Sequence, residues 1–244
     1  MGGSAGVHGR NLTYSMLDAL GREIVTGGYD GRRFPTEAEL AKEHGVSRSV
    51  TREAVKMLTA KGLLTARPRK GTTVQPGSSW NLFDPDVLRW LLERKFSLDL
   101  LRQFSELRLA IEPTAAAFAA QYPDSPAIGA IEAGFARMES ASHGADDALE
   151  ADIQFHVAIL HATQNPFFGQ FEELVRTALH TSIQFTNQFS GHTANVDQHR
   201  EVLEAIKAGQ GDQARATMYR LIADVLALIH KARQSETDVV GEPV

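Results

Sequence analysis

The stretch from Phe34 to Val74, FPTEAELAKEHGVSRSVTREAVKMLTAKGLLTARPRKGTTV, constrains this chain more than any other. Thr36 can cap a helix whose first turn holds Glu37 and Glu39, where carboxylates meet the positive end of the helix dipole. Gly45 suits the positive φ of a turn that ends it. Ser47 caps a second helix, which runs to about Lys61 and stops at Gly62. Two helices joined by a short glycine-containing turn form a helix-turn-helix. Leu63–Ala66 and Thr72–Val74 then read as short strands around the turn Arg67-Pro68-Arg69-Lys70-Gly71, a hairpin with a basic tip.

The second helix has two faces. At about 100° per residue, Arg48, Ser49, Arg52 and Lys56 fall within a narrow arc. Val50, Ala54 and Leu58 fall opposite and are expected to pack on the first helix. Arginine can take guanine O6 and N7 bidentately in the major groove, whereas lysine more often meets phosphate. Residues 47–71 hold seven Lys/Arg against one acidic residue, Glu53. A concentrated positive footprint of this kind is what phosphate binding requires.

These residues also carry a resemblance. Phe34-Pro35-Thr36-Glu37, Val46-Ser47-Arg48, Arg52-Glu53-Ala54-Val55, Gly62-Leu63 and Gly71-Thr72-Thr73-Val74 resemble the winged-helix signature of the GntR family of bacterial regulators. Val50 stands where many members carry Pro, and both residues fit the first turn of a helix. The DNA-facing set read here is Arg33, Glu37, Arg48, Ser49, Arg52, Lys56, Arg69, Lys70 and Gly71. Arg32 joins Arg33 as a phosphate contact or a solvated pair.

Charge divides the chain. Residues 1–76 sum to +5 and residues 77–244 to −10, giving the overall −5. Only the first part is expected to face nucleic acid. The chain contains no cysteine, so disulfides and cysteine-ligated metals are excluded, which fits a cytoplasmic protein. No apolar run approaches the ~20 residues of a membrane span. The N-terminus lacks the apolar core of a signal peptide.

The expected organisation is a disordered lead-in (1–10), a winged helix-turn-helix (11–76), a linker with a connecting helix (77–96), an α-helical effector-binding and dimerisation domain (97–234) and a flexible tail (235–244). In the first domain, Leu12, Met16, Leu17, Leu20 and Ile24 place one apolar face on an opening helix. Asp84 with Pro85 predicts a helix start. Trp80, Leu82, Phe83, Leu88 and Trp90 put much apolar surface beside the Gln75–Ser79 linker, the expected packing seam between domains. Helices are predicted near 97–121, 124–141, 145–163, 166–190, 195–208 and 211–234. The fold class is therefore mainly α: a winged helix with a small β-hairpin, then an all-α bundle able to enclose a pocket.

Two polar constellations interrupt the apolar faces of the second half. Arg108 sits in the stripe Leu101, Phe104, Ile111, Ala115, where it must pair internally or meet an anion. Glu112, four residues on, is the internal partner. Asp152 and His156 lie four apart on an inward face with Leu149 and Ile159. That spacing suits either two ligands of one metal or a buried hydrogen-bonded pair. His199 is the best candidate for a third ligand. His180, Gln184 and Gln188 could line the same space, while His161, His192 and His230 read as surface or packing residues.

Leu107-Arg108 with Ile111-Glu112, Asp152 with Phe155-His156, Asn165-Pro166, and His199 with Leu203, Ala205 and Ile206 resemble the effector-binding FCD domain of the FadR subfamily. The resemblance implies a divalent metal ion, zinc or similar, held by Asp152, His156 and His199, with a carboxylate effector beside it. The fourth histidine of that pattern falls three residues past a Met. Here Met218 leads to Leu221. The implied effector-binding set is Arg108, Asp152, His156, Gln184 and His199. Trp80-Asn81, Asp84, Asp86-Val87-Leu88, Trp90 and Glu106, Arg108, Glu112-Pro113 are similar to galactonate-operon repressors within this family, which implies a sugar-acid effector, an aldonate or ketodeoxy acid. The reading as a whole is a cytoplasmic, homodimeric transcription regulator, a repressor acting on a palindromic operator and not an enzyme. A metal-dependent enzyme with a DNA-binding appendage and an acyl-CoA-responsive regulator are the alternatives.

Overall fold

A computed structural model describes residues 4–67, 71–95, 97–189 and 195–240, with the backbone alone described at 4–10, 183–189 and 235–240. The chain divides into two compact units, Met1–Lys95 and Phe96–Val244. The first holds α1 (Ser4–Val25), α2 (Glu37–Glu43), α3 (Arg48–Ala60), β1 (Leu64–Arg67), β2 (Gly71–Val74) and α4 (Pro85–Leu92). The second holds α5 (Leu98–Ala119), α6 (Ile128–Ser142), α7 (Ala148–Ala162), α8 (Pro166–Gly169), α9 (Glu172–Phe189), α10 (Val196–Lys207) and α11 (Gly211–Val240). Among the described residues, no helix is long and apolar enough to cross a membrane.

The caps read from the sequence form as expected. Thr36 makes a full capping box with Glu39 at the start of α2. Ser47 accepts from the Val50 amide at 3.3 Å to open α3. Gly45 and Gly62 end the two helices with φ of 62° and 78°. β1 and β2 form the antiparallel wing, in a register from Leu64↔Val74 to Arg67↔Gly71. The buried face of α3 is Thr51, Ala54, Val55 and Leu58, with Val50 only half-buried. Met16, Leu17, Leu20 and Ile24 of α1 are buried with it, whereas Leu12 is 46% exposed and lies off that face.

The segment after the wing folds into the first unit. The Gln75 amide donates to the Leu63 carbonyl and the Asn81 amide to the Lys61 carbonyl, at 2.8 and 2.9 Å. Lys61 Nζ, half-sheltered, lies 2.7 Å from Asp84 and 2.8 Å from Asp86. Asp84 also accepts from the Asp86 and Val87 amides, capping α4 as expected. Trp90, fully buried, donates from Nε1 to Asp18 Oδ1 on α1 at 2.8 Å. The apolar surface of Leu88 and Trp90 is thus spent inside this unit.

Helix limits differ most from expectation in three places. The backbone is helical from Ser4, ahead of the expected start at Asn11, because Gly6 and Gly9 lower helix propensity without forbidding the helix. At the other end α11 continues to Val240, past the expected tail boundary, since no Gly or Pro interrupts the chain before Gly241. The expected helix 166–190 is two helices, broken around Gly169–Phe171. Gly169 sits against His161, where an added Cβ would lie 3.1 Å from the ring.

In the second unit α5 packs along α11 and α6 along α7. α7 is the central helix: from Ala151 to Leu160 every residue but Gln154 is buried. Asp152 and His156 therefore lie in the interior whichever way the helix is turned.

Candidate functional site

The first site is the exposed side of α3. Arg48, Ser49, Arg52 and Lys56 all face solvent there, on the side away from Ala54 and Leu58. Ser49 Oγ lies 3.0 Å from the capping Ser47 Oγ. Glu37, at the first position of α2, brings its carboxylate to 4.0 Å from Arg52 Nε. Lys56 lies 3.5 Å from Glu53. Both pairs are well exposed, and such pairs contribute ~0–1 kcal/mol, so the cations remain available to another partner. Arg33 is more firmly engaged, donating to Glu39 at 2.7 Å. That bond, with those from Thr36, holds the Glu39 carboxyl down at about 2. Gly71, exposed, begins β2 opposite Arg67. Arg69 and Lys70 lie outside the described residues.

The second site is built on α5, α7 and α10. Asp152 and His156 stand one turn apart on α7, and Asn195 caps α10 one turn before His199. The three residues present ligand atoms within 4.8 Å of one another, all buried. His199 Nε2 lies 3.2 Å from His156 Nε2 and 3.0 Å from Asp152 Oδ1. His156 Nε2 lies 3.6 Å from the same oxygen.

Proton ownership follows from what lies behind the rings. His199 Nδ1 is 2.7 Å from the Asn195 carbonyl, which can only accept, so Nδ1 carries the hydrogen. His156 Nδ1 is 2.5 Å from Glu112 Oε2. Burial opposes ionisation of Glu112, but Arg108 and His156 outweigh it and hold the carboxyl at about 2, so it too only accepts. In their neutral forms both rings would turn an Nε2 lone pair toward Asp152 Oδ1, a buried oxygen that accepts no hydrogen bond among the described residues. Three electron-rich atoms meeting at one point need a positive charge between them.

Titration reflects the same demand. Burial lowers the pKa of His156, but Glu112 and Asp152 raise it further than burial and Arg108 depress it. Burial likewise opposes ionisation of Asp152, yet the facing imidazoles hold its carboxyl well below the usual range. A proton or a metal ion would meet this need. Donor atoms on one metal at ~2.0–2.1 Å lie ~2.9 Å apart in octahedral and ~3.3 Å apart in tetrahedral coordination. The observed separations of 3.0, 3.2 and 3.6 Å lie close to those edges, so the donor set fits a divalent ion. A hydrogen-bond acceptor behind each ligating histidine is also the usual outer shell of such a centre.

Arg108 is 3% exposed and commits Nε and Nη2 to Glu112, at 2.5 and 3.3 Å. Its Nη2 also lies 3.4 Å from both ring nitrogens of His156. The internal pairing of Arg108 and Glu112 was readable from their i, i+4 spacing. The bond from Glu112 to His156 was not, because it joins residues 44 apart. His180 lies toward Glu150 at 4.0 Å with its side chain 36% exposed. His161 is a surface residue paired with Glu172. The side chains of Gln184, Gln188 and His192 lie outside the described residues. Leu221, at the position of the missing fourth histidine, is buried in the main apolar core.

Residues 15–74 match the family described as bacterial regulatory proteins, gntR family, and residues 103–224 match the FCD domain. The galactonate operon transcriptional repressor of Escherichia coli is 33% identical over 87% of this chain and 94% of its own length. An uncharacterised HTH-type transcriptional regulator of Escherichia coli, YieP, is 33% identical over 84% of this chain and 90% of its own. The solved structure of the Listeria monocytogenes regulator Lar, 19% identical, shares the fold with a TM-score of 0.55, covering 88% of this chain and 96% of its own.

Proposed function

The chain belongs to the gntR family of bacterial regulatory proteins, with an FCD domain, and from that premise we propose how this DNA-binding transcriptional regulator is controlled. It is a repressor that binds a palindromic operator as a homodimer, since two-fold symmetry in the protein calls for paired half-sites. Arg48, Ser49 and Arg52 read base edges; Lys56, with Arg33, Arg69, Lys70 and the backbone at Gly71, holds phosphate. Glu37 steers Arg52 from its Nε edge.

The second unit binds a divalent metal through Asp152, His156 and His199, and a small organic acid beside it. The observation that carries this reading is the convergence of the His156 and His199 Nε2 atoms on Asp152 Oδ1, a buried oxygen that accepts no hydrogen bond among the described residues. With neutral imidazoles, Arg108, Glu112 and Asp152 leave the buried cluster at a net −1. A divalent ion turns that to +1, which favours an anion and leaves coordination positions for its oxygens. Arg108 and Gln184 complete the effector-binding set read from the sequence. The galactonate operon repressor, 33% identical, supports a sugar acid, an aldonate or ketodeoxy acid, as the effector. The charged and imidazole-rich cluster disfavours an acyl chain. Whatever the acid, it must bind one arrangement of the dimer better than the other to change operator affinity.

A thermal-shift screen of sugar acids with and without chelator tests this. An acid at 100 times its Kd should stabilise the protein by about 2.7 kcal/mol. A shift seen only with metal present supports both parts. A shift untouched by chelation removes the metal, and no shift with any acid removes the effector class.

A further inference from the structure

We propose that Glu112 is the positioning residue of the metal centre, the group that decides whether His156 can act as a ligand. The inference rests on the metal-binding reading above.

Glu112 is 1% exposed and touches no metal-facing atom. What it does is occupy the far side of His156. With Arg108 donating to both of its oxygens, the carboxylate meets His156 Nδ1 as an acceptor, so in the neutral ring the hydrogen sits on Nδ1 and the lone pair on Nε2. Without that carboxylate, nothing else among the described contacts to His156 favours this tautomer. Arg108 Nη2 lies equally far, 3.4 Å, from both ring nitrogens and makes no choice between them. The rings of Phe155 and His199 meet His156 edge to face, with interplanar angles of 87° and 85°, and fix its place without fixing its proton. Asp152 Oδ1 and His199 Nε2, 3.6 and 3.2 Å from Nε2, would draw the hydrogen to that side, so Glu112 holds it on Nδ1 against them.

Its own position is over-determined. Arg108, one turn earlier on α5, grips both carboxylate oxygens and supplies the counter-charge that keeps the group ionised in the interior. The two ligating histidines thus differ in kind. His199 is oriented by a main-chain carbonyl, which no substitution of Asn195 removes. His156 is oriented by a side chain. Metal affinity in this chain is therefore set from α5, a helix that contributes no ligand.

The test uses the full-length protein, Co2+ as the probe, and the variants Glu112→Gln and Arg108→Lys. Nitrogen-15 shifts of the histidine rings, recorded without metal above neutral pH, read the tautomer directly. Wild type should hold His156 as Nδ1–H, and Glu112→Gln should move it toward Nε2–H. Co2+ affinity should fall ~10–100-fold in Glu112→Gln with altered visible bands, the range seen when outer-shell partners of a ligand are removed. Arg108→Lys should change both in the same direction and by less. A purely structural ion pair would lower the melting temperature and leave ring shifts and bands alone. That result, with wild type still binding Co2+, overturns the positioning role and spares the metal. Should Glu112→Gln not fold, unchanged shifts and affinity in Arg108→Lys overturn it equally. A wild type that gives no cobalt bands overturns the metal reading and this inference with it.

Discussion

Replacing Trp90 by alanine should unfold the DNA-binding unit selectively. The indole is fully buried, and its Nε1 donates to Asp18 at 2.8 Å. It lies so close to α1 that a Cβ added at Gly21 would come within 2.2 Å of the ring. Truncating a buried Trp typically costs ~3–5 kcal/mol. The lost hydrogen bond adds little beyond that, because Asp18 keeps Arg22 and Arg89 and is 32% exposed. A loss of about 4 kcal/mol in a unit of this size corresponds to a fall in melting temperature of roughly 15–30 °C. The assay is unusually clean. The chain has two tryptophans, Trp80 and Trp90, both in the first unit, so Trp80 fluorescence in the variant follows that unit alone. Far-ultraviolet circular dichroism follows the helices of both. Trp90→Phe, which keeps most of the apolar bulk, should lose only ~1–2 kcal/mol. If Trp90→Ala melts within ~1 kcal/mol of wild type by Trp80 fluorescence, α4 does not stabilise the winged helix and the reasoning is wrong.

Three further predictions concern the same unit. Arg48→Ala should cost ~1–3 kcal/mol of specific binding and relax one base position, while leaving affinity for random DNA nearly unchanged; equal losses on both would remove Arg48 from base reading. Gly62→Ala should destabilise by more than ~1 kcal/mol in urea melts, because its φ is 78° and the new Cβ would sit 2.3 Å from the Ser79 carbonyl oxygen. Glu39, held at about 2, contributes stability that is present above its ordinary pKa of 4.5 and lost as pH falls toward 2. Glu39→Gln should therefore flatten the loss of the first unit's stability between about pH 4.5 and 2, and an unchanged acid profile would contradict that.

What could be read from the sequence was what local rules control. Thr36, Ser47 and Asp84 cap their helices as their side chains dictate, and the face of α3 follows from its period. Asp152 and His156 meet because four residues make one turn. His199 lies 43 residues from His156; it could be named as the best candidate for a third ligand, with the resemblance to a known domain adding support, but no spacing rule brings it there. The remainder depends on partners that no periodicity announces. Glu112 reads as half of an ion pair until the fold brings His156 against its other oxygen. Trp90 reads as surface for a domain seam until α4 turns back on α1. The face of α7 was read as one-sided because its neighbours in sequence gave no sign that other helices surround it. Its Ala151–Leu160 run shows that only in the packed bundle.

The attachment of α4 bears on how heads and sensors of this kind can be exchanged. Residues 75–102 lie between the two family matches, and the Pro-Gly-Ser run at their start invites a cut at Pro76. A chimera joined there would inherit a head with α1 stripped of Trp90, which packs at Gly21 and bonds Asp18, and with Lys61 deprived of both its carboxylates. A junction at Lys95 keeps Asp84, Asp86 and Trp90 with the recognition helix they brace. In gene fusions, the transplantable reading head is thus about twenty residues longer than its DNA-contacting part, and the natural crossover point falls between Lys95 and Ser97.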